Sequence, residues 1–346
     1  MNNTELKELV LTLSQPAGNS GDESMAAAVA KKEMEKFGQV TTDTLGNLIL
    51  TVNPPTEGKE HILMDAHLDE IGMMVQEVLE NGFIRPANTG GMDVRVLASG
   101  EVWIHGKNRE ILGIVTSTPP HLQKEEDGNL AGKMGEIFID TGLTTEEAHA
   151  EIQIGDRITL SGESRDLLSG RFCSKALDDR ASCAAILRAL DLLKDTDFNG
   201  LGLSVSFTSR EEVGGQGAAT AAFTLNPDVA LVVDATPCDQ DYVGKSRCGA
   251  IGDGVAIGIA PVLDRALSDE LIEMAKEQEI PYWIEVMERR TGTNADEIQV
   301  SRGGVRCATL SIPQRYAHTA IEVMDIEDIE NTARLLAAYI QKKAVK

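Results

Sequence analysis

The chain has 346 residues, 42% hydrophobic and 25% charged, with aromatics at 4% and a formal net charge of −23. This is length for two domains with an ample core, and the acidity excludes nucleic acid and anionic membrane surfaces as partners by repulsion. No stretch approaches the roughly 20 apolar residues of a membrane span.

At the start, Leu6, Leu9, Val10 and Leu13 fall on one helical face. Glu5 and Glu8 break the apolar stretch and no basic residues precede it, so it does not read as a secretory signal. A helix is expected from Asp22 to Phe37, stopping at Gly38, then strands at Asn47–Val52 and His61–Ala66. From about Val75 to Glu163 short β-branched runs are punctuated by Gly, Pro and Asn: Glu101–His105, Ile111–Ser117, Gly135–Asp140 and Asp156–Ser161. That spacing predicts a small β-barrel or sandwich, with one helix at Thr144–Ile152. Past Ser174 the α/β pattern resumes with helix Ala181–Leu193 and strands Leu201–Thr208 and Val229–Val233. A helix at Leu267–Gln278, capped at Ser268, a strand at Cys307–Ile312 and an amphipathic helix at Ile326–Ile340 close the chain. The expected organisation is an α/β domain of residues 1–74 and 166–346 with a β domain, 75–165, inserted. The five cysteines, Cys173, Cys183, Cys238, Cys248 and Cys307, are odd in number and lack CxxC spacing, as reduced core thiols of a cytosolic protein do.

Single motifs are uninformative in so acidic a chain. His67-Leu68-Asp69 has its counterpart in His149-Ala150-Glu151, and Glu211-Glu212 in Glu125-Glu126 and Glu146-Glu147. Position separates them. His67, Glu211, Glu212, Asp234 and His318 each come at or shortly after the end of an expected strand, and Asp178 and Asp179 open an expected helix. In open α/β sheets ligands bind beyond the carboxyl ends of the strands; the control pairs fall in the β insertion. Two histidines and three or four carboxylates make a mixed N/O ligand set suited to two zinc, cobalt or manganese ions. A carboxylate between two ions can bridge with both oxygens, and one acid must stay free as general base. Glu211-Glu212 offers a base and a ligand, and Asp69 is placed to orient His67. The competing explanation, helix caps and solvated loop ends, suits Asp178 or Asp179 but suits His67, flanked by Asp65 and Asp69, poorly.

The segments Asp43-Thr44-Leu45-Gly46-Asn47-Leu48, His67-Leu68-Asp69-Glu70-Ile71-Gly72, Lys175-Ala176-Leu177-Asp178-Asp179-Arg180, Glu211-Glu212-Val213-Gly214, Val233-Asp234-Ala235-Thr236 and Ile312-Pro313-Gln314-Arg315-Tyr316-Ala317-His318 resemble, in order and over nearly the whole chain, the tetrahedral (TET) and glutamyl aminopeptidases, some of which have been labelled endoglucanase or cellulase M. The resemblance implies a three-layer α/β/α zinc-peptidase-like catalytic domain with an inserted small β-barrel for dimerisation. It implies one metal ion on His67, Asp178 and Asp234 and another on Asp178, Glu212 and His318, with Asp178 bridging, Glu211 as general base and Asp69 orienting His67. It further implies short-peptide substrates and a homo-oligomer built from dimers, a tetrahedral dodecamer among the options. Arg210, Ser182, Asn294 and Asp253 depart from the family's usual Gln, Gly, Asp and Lys, which bears on specificity. An N-acyl amino-acid deacylase with the same dinuclear chemistry and a non-catalytic metal-binding shell protein are the alternatives. A glycoside hydrolase would need two carboxylates and no metal. If the insertion is instead a lid, Pro119-Pro120-His121 is placed to reach the pocket.

Overall fold

The computed structural model of the chain describes residues 1–118, 121, 133–240 and 248–345. Pro119, Pro120 and the pair Glu125-Glu126 lie outside the described residues. Helices α1 (Asn3–Ser14) and α2 (Ser24–Met34) lead into strands β1 (Val40–Thr42), β2 (Leu48–Asn53) and β3 (His61–His67). Next come β4 (Gly72–Val78), β5 (Ile84–Thr89), β6 (Glu101–His105), β7 (Glu110–Val115), β8 (Ile139–Asp140), α3 (Thr145–Glu151) and β9 (Arg157–Leu160). Two short strands, β10 (Arg165–Asp166) and β11 (Arg171–Ser174), precede α4 (Leu177–Leu192), β12 (Gly202–Thr208), α5 (Gln216–Leu225), β13 (Val229–Pro237), β14 (Val255–Ile259) and α6 (Arg265–Glu277). The chain ends with β15 (Tyr282–Val286), α7 (Ala295–Ile298), β16 (Arg306–Gln314), β17 (Glu322–Asp325) and α8 (Ile326–Ala344).

The main sheet has the order β1-β2-β12-β3-β13-β16-β14-β15, and its central strands β12, β3, β13 and β16 run parallel. These strands are buried at nearly every position because both faces are covered, as parallel sheets require. The pleat divides them. Ile62, Met64 and Ala66 of β3 and Val229, Leu231 and Val233 of β13 join the core under α1, α2, α4, α6 and α8. Leu63, Ala230 and Val232, one residue out of phase, join a second core with Ala218 and Ala222 of α5 and Ala295 and Ile298 of α7. A two-residue period thus serves two helical layers at once, giving the α/β/α sandwich expected.

Strands β4-β5-β8-β7-β6-β9 close into a barrel with its own apolar core, Met73, Val75, Ile104, Ile139 and Ile158 among it. The chain enters on β4 and leaves on β9, which pair at Met73–Ile158. Gly72 stands where they meet: a Cβ there would fall 1.6 Å from the Asn19 amide nitrogen, which donates to the Ile158 carbonyl at 3.1 Å. On β7, Ile111 and Val115 point inward and are buried, whereas Leu112 and Ile114 point out and are exposed, with Trp103 opposite Leu112.

Several expected boundaries shift. The second helix ends at Met34, not Phe37, because Phe37 turns in against the core. The helix expected from Leu267 starts at Arg265 and is capped by Asp264, whose Oδ1 accepts from the Leu267 N–H at 2.8 Å; Ser268 is buried and donates to the Gly258 carbonyl. Thr144 caps α3 in a capping box with Glu147. No disulfide joins the cysteines among the described residues, and Cys248 is only half-buried. No described helix is long and apolar enough to cross a membrane.

Between the barrel and α1 lies a buried ion pair. Lys175 Nζ donates to both Glu70 oxygens at 2.8 Å, and Glu70 also accepts from the Gly18 N–H at 3.0 Å. Arg180 Nη2, 3.8 Å from Glu70, makes a second, longer ion pair. Lys175→Met removes the cation that donates to both Glu70 oxygens and is expected to cost about 3–5 kcal/mol, read as a lowered urea midpoint at unchanged slope.

Candidate metal centre

Because β3, β12, β13 and β16 are parallel, their carboxyl ends open on one edge of the sheet. His67 is the last residue of β3 and lies beside Thr208, the last of β12; Arg210 then takes a left-handed φ of 63° and Glu211–Val213 form one tight turn. Asp234 sits inside β13, which runs on to Pro237 rather than ending at Val233 as expected. His318 lies in the loop between β16 and β17, also with positive φ. Asp178 and Asp179 fall within the span of α4 but are not helical, with a cis peptide between them. They cap nothing.

These side chains converge. His67 Nε2 is 3.1 Å from Asp178 Oδ1 and 3.9 Å from Asp234 Oδ1. His318 Nε2 is 3.3 Å from Glu212 Oε1 and 3.7 Å from Asp178 Oδ2. Two sets of donor atoms result, His67–Asp178–Asp234 and Asp178–Glu212–His318, each within 4.8 Å. Asp178 belongs to both and turns a different oxygen to each histidine. The control motifs take no part: Glu146, Glu147 and His149 sit on α3 of the barrel.

A surrounding ring holds this arrangement. The His67 Nδ1 is 3.1 Å from the Asp69 carbonyl and 3.4 Å from its carboxylate. The Asp69 carboxylate also accepts from Ser20 Oγ at 2.6 Å and from the Glu211 and Glu212 N–H groups at 2.9 and 3.1 Å, so one buried acid fixes both the imidazole and the acidic turn. Glu322 escaped sequence reasoning. It is buried on β17 and accepts from the Asp178 N–H at 3.0 Å and the His318 N–H at 2.9 Å. Its one signal was a place four residues past His318, lost among so many acids. Asn294 donates to Asp65 and Thr208 behind the sheet edge. None of Arg210, Ser182, Asn294 and Asp253 lines the cavity of about 680 Å³ at the site, so the four departures do not shape its wall. A larger cleft of about 1340 Å³, floored by Trp103, His105 and Lys175, contains none of the converging residues.

Burial pushes the Glu211 carboxyl up to about 7, helped by Glu212 and Asp178. Burial likewise raises Glu212, Asp234 and Glu322, with Asp178 adding to each. Burial alone would lower His67, but Asp178 and Asp69 outweigh it and hold the imidazole well above its ordinary range. Glu212 holds His318 up at about 9. Acids that resist ionising around imidazoles that retain protons mark a site with a surplus of negative charge. Divalent cations satisfy such a site, and the donor set, two imidazole nitrogens and three carboxylates, fits them.

An α/β/α sheet with histidine and carboxylates gathered at its carboxyl edge, and a barrel beside it, agrees with a metallopeptidase. The chain belongs to the M42 glutamyl aminopeptidase family, whose model matches residues 46–335. A lysyl aminopeptidase of Pyrococcus furiosus is 30% identical, with 97% of this chain and 96% of that one covered. The TET aminopeptidase of a marine-sediment thaumarchaeon superimposes with a TM-score of 0.92 at 28% identity, over 100% of this chain and 99% of the other. The TET1 peptidase of Pyrococcus horikoshii, described as assembling into a tetrahedron or a large octahedral shell, matches with a TM-score of 0.84 at 27% identity, over 98% and 99%. The protein is an aminopeptidase, a peptide hydrolase.

Proposed function

We propose that the enzyme works with two divalent ions, zinc first and cobalt or manganese as alternatives, one held by His67, Asp178 and Asp234 and the other by Asp178, Glu212 and His318. The observation that carries this is the sharing of Asp178 between two donor sets through separate oxygens. When bound, such a pair of ions supplies Lewis acidity toward the scissile carbonyl and makes a nearby water acidic. Glu211 stands outside both donor sets and lines the same cavity. It takes the proton from the attacking water and returns it to the leaving amine. Asp69 keeps His67 in the tautomer that offers Nε2, and Glu322 pins the backbone of Asp178 and His318.

A free amine beside the scissile carbonyl is the substrate feature this cavity selects. Its carboxylates favour the cationic end of a peptide, and an acylated terminus has neither the charge nor the lone pair. A tripeptide should lose residues one at a time from its N-terminus while its N-acetyl form resists, followed by mass spectrometry over time. Faster hydrolysis of the acetylated form would transfer the site to the deacylases.

Residues 75–165 form the inserted unit, and residues 1–74 and 166–346 the catalytic one. The insertion serves assembly of dimers into a shell, as the TET1 peptidase of P. horikoshii assembles. The outward apolar faces of Trp103, Leu112 and Ile114 support this, since exposed apolar patches mark contact surfaces. Leu112→Asp combined with Ile114→Asp should reduce the particle seen by light scattering; an unchanged particle would remove the barrel face from the interface. With no spanning helix and no disulfide among the described residues, the cytoplasm is the compartment we assign.

A further inference from the structure

Among the residues lining the cavity, the acidic Glu285 has no task in the chemistry above. Glu285 lies on β15, beyond the sheet strands that carry the metal donors, and lines the same cavity as Asp234 and Glu211. Its Oε1 accepts a hydrogen bond from the Thr236 hydroxyl. Its Oε2 is closed off from solvent and takes no hydrogen bond, although the Ser311 hydroxyl is near enough to favour the ionised form. A buried carboxylate oxygen left without a donor is costly unless a ligand supplies one.

The placement gives a length. Thr236 follows Asp234 by two residues on one strand, about 7 Å at the rise of an extended chain, and the two share a face because the period is two. That is the reach of a four-carbon side chain from an α-carbon held near Asp234. The rival charge in the cavity is Arg290. It is exposed at the rim, its Nε 3.9 Å from Asp296 and its Nη2 3.6 Å from Glu297, so two carboxylates already face it and little attraction remains for an acidic residue.

We propose that Glu285, steadied by Thr236, is the specificity determinant of this cavity and that the enzyme prefers lysine or arginine as the N-terminal residue, the side-chain cation resting on the Glu285 carboxylate. The assignment rests on the aminopeptidase reading of the site. A lysine stem can bury its methylenes along Thr236 and Met287 and carry its ammonium to the acid. A side chain of the same length without charge leaves the carboxylate unpaired, the kind of loss by which polar pockets discriminate.

The test is kcat/KM of the metal-loaded full chain on the p-nitroanilides of lysine, arginine, norleucine and glutamate, with free lysine and norleucine compared as competitive inhibitors. Lysine should exceed norleucine at least about tenfold, the worth of one charge-assisted hydrogen bond, both as substrate and as inhibitor. In Glu285→Gln the lysine-to-norleucine ratio should collapse toward one, chiefly through KM, and the melting temperature reports whether the variant is folded. The inhibitor comparison on the wild type needs no variant. A wild type that favours norleucine or glutamate, or a folded Glu285→Gln that keeps the lysine preference, overturns the role of Glu285 and leaves the aminopeptidase reading intact. Hydrolysis of none of the four would instead fail that reading, and this inference with it.

Discussion

Glu211→Gln is expected to retain its full metal content and lose roughly 10²–10⁴ in kcat, the usual contribution of a positioned general base. The amide has the shape of the acid, and the backbone of the turn is held independently by Asp69, which accepts from the Glu211 and Glu212 N–H groups. Only the basic oxygen is removed. Glu212→Gln should behave differently: its carboxylate lies 3.3 Å from His318, so weakened metal retention precedes any loss of turnover. Burial holds the Glu211 carboxyl near 7, about 7 before any ion binds. A base acts deprotonated, so activity should fall as pH is lowered through its pKa. Cations in the adjacent donor sets favour the ionised form, so the acid limb of the loaded wild type should lie below about 7. Wild-type turnover in Glu211→Gln would show that another group moves the proton.

Asp178→Ala should lose both ions, whereas Asp234→Ala or Glu212→Ala should compromise chiefly one. The asymmetry follows from geometry: Asp178 Oδ1 faces His67 and Oδ2 faces His318, while Asp234 and Glu212 each belong to a single set. Removing the shared acid also takes away the carboxylate closest to His67 and the second closest to His318. Losing even one ligand or its supporting contact commonly costs 10–100-fold in metal affinity, and here both sites pay it together. Elemental analysis after dialysis gives the stoichiometry. Two ions retained per chain in Asp178→Ala would refute the bridge, and one ion or none in reconstituted wild type would refute the dinuclear centre.

Much of the fold was legible because local rules and global structure agree. The runs of β3, β12 and β13 were recognisable as strands since both faces of a parallel sheet are buried, and α1 and α8 announced themselves by helical periodicity. The misses have physical causes. β14 and β15 are short strands near the sheet edge, with little pattern to read in Tyr282–Val286, a strand half exposed to solvent. The Leu267 boundary failed because Asp264 and Ser268 are both competent caps, and only burial of Ser268 against Gly258 separates them.

For the site, local pattern alone sets which residue types stand at the ends of the parallel strands. Chain order and period suffice to bring His67, Glu211, Glu212, Asp234 and His318 to one edge, with Asp178 at a helix start, and the family resemblance divided them into two donor sets. How Asp178 divides its oxygens between two histidines emerges only on folding, because it depends on α4, β3 and the loop after β16, which are far apart in the chain. The tertiary structure likewise decided that Asp69 anchors the acidic turn, that Glu322 supports two candidate ligands through their backbones, and that Glu285 has an unpaired oxygen at the cavity. These acids look alike among 55 carboxylates in the sequence. Burial and long-range hydrogen bonds, which no local pattern encodes, set their charge and their work apart.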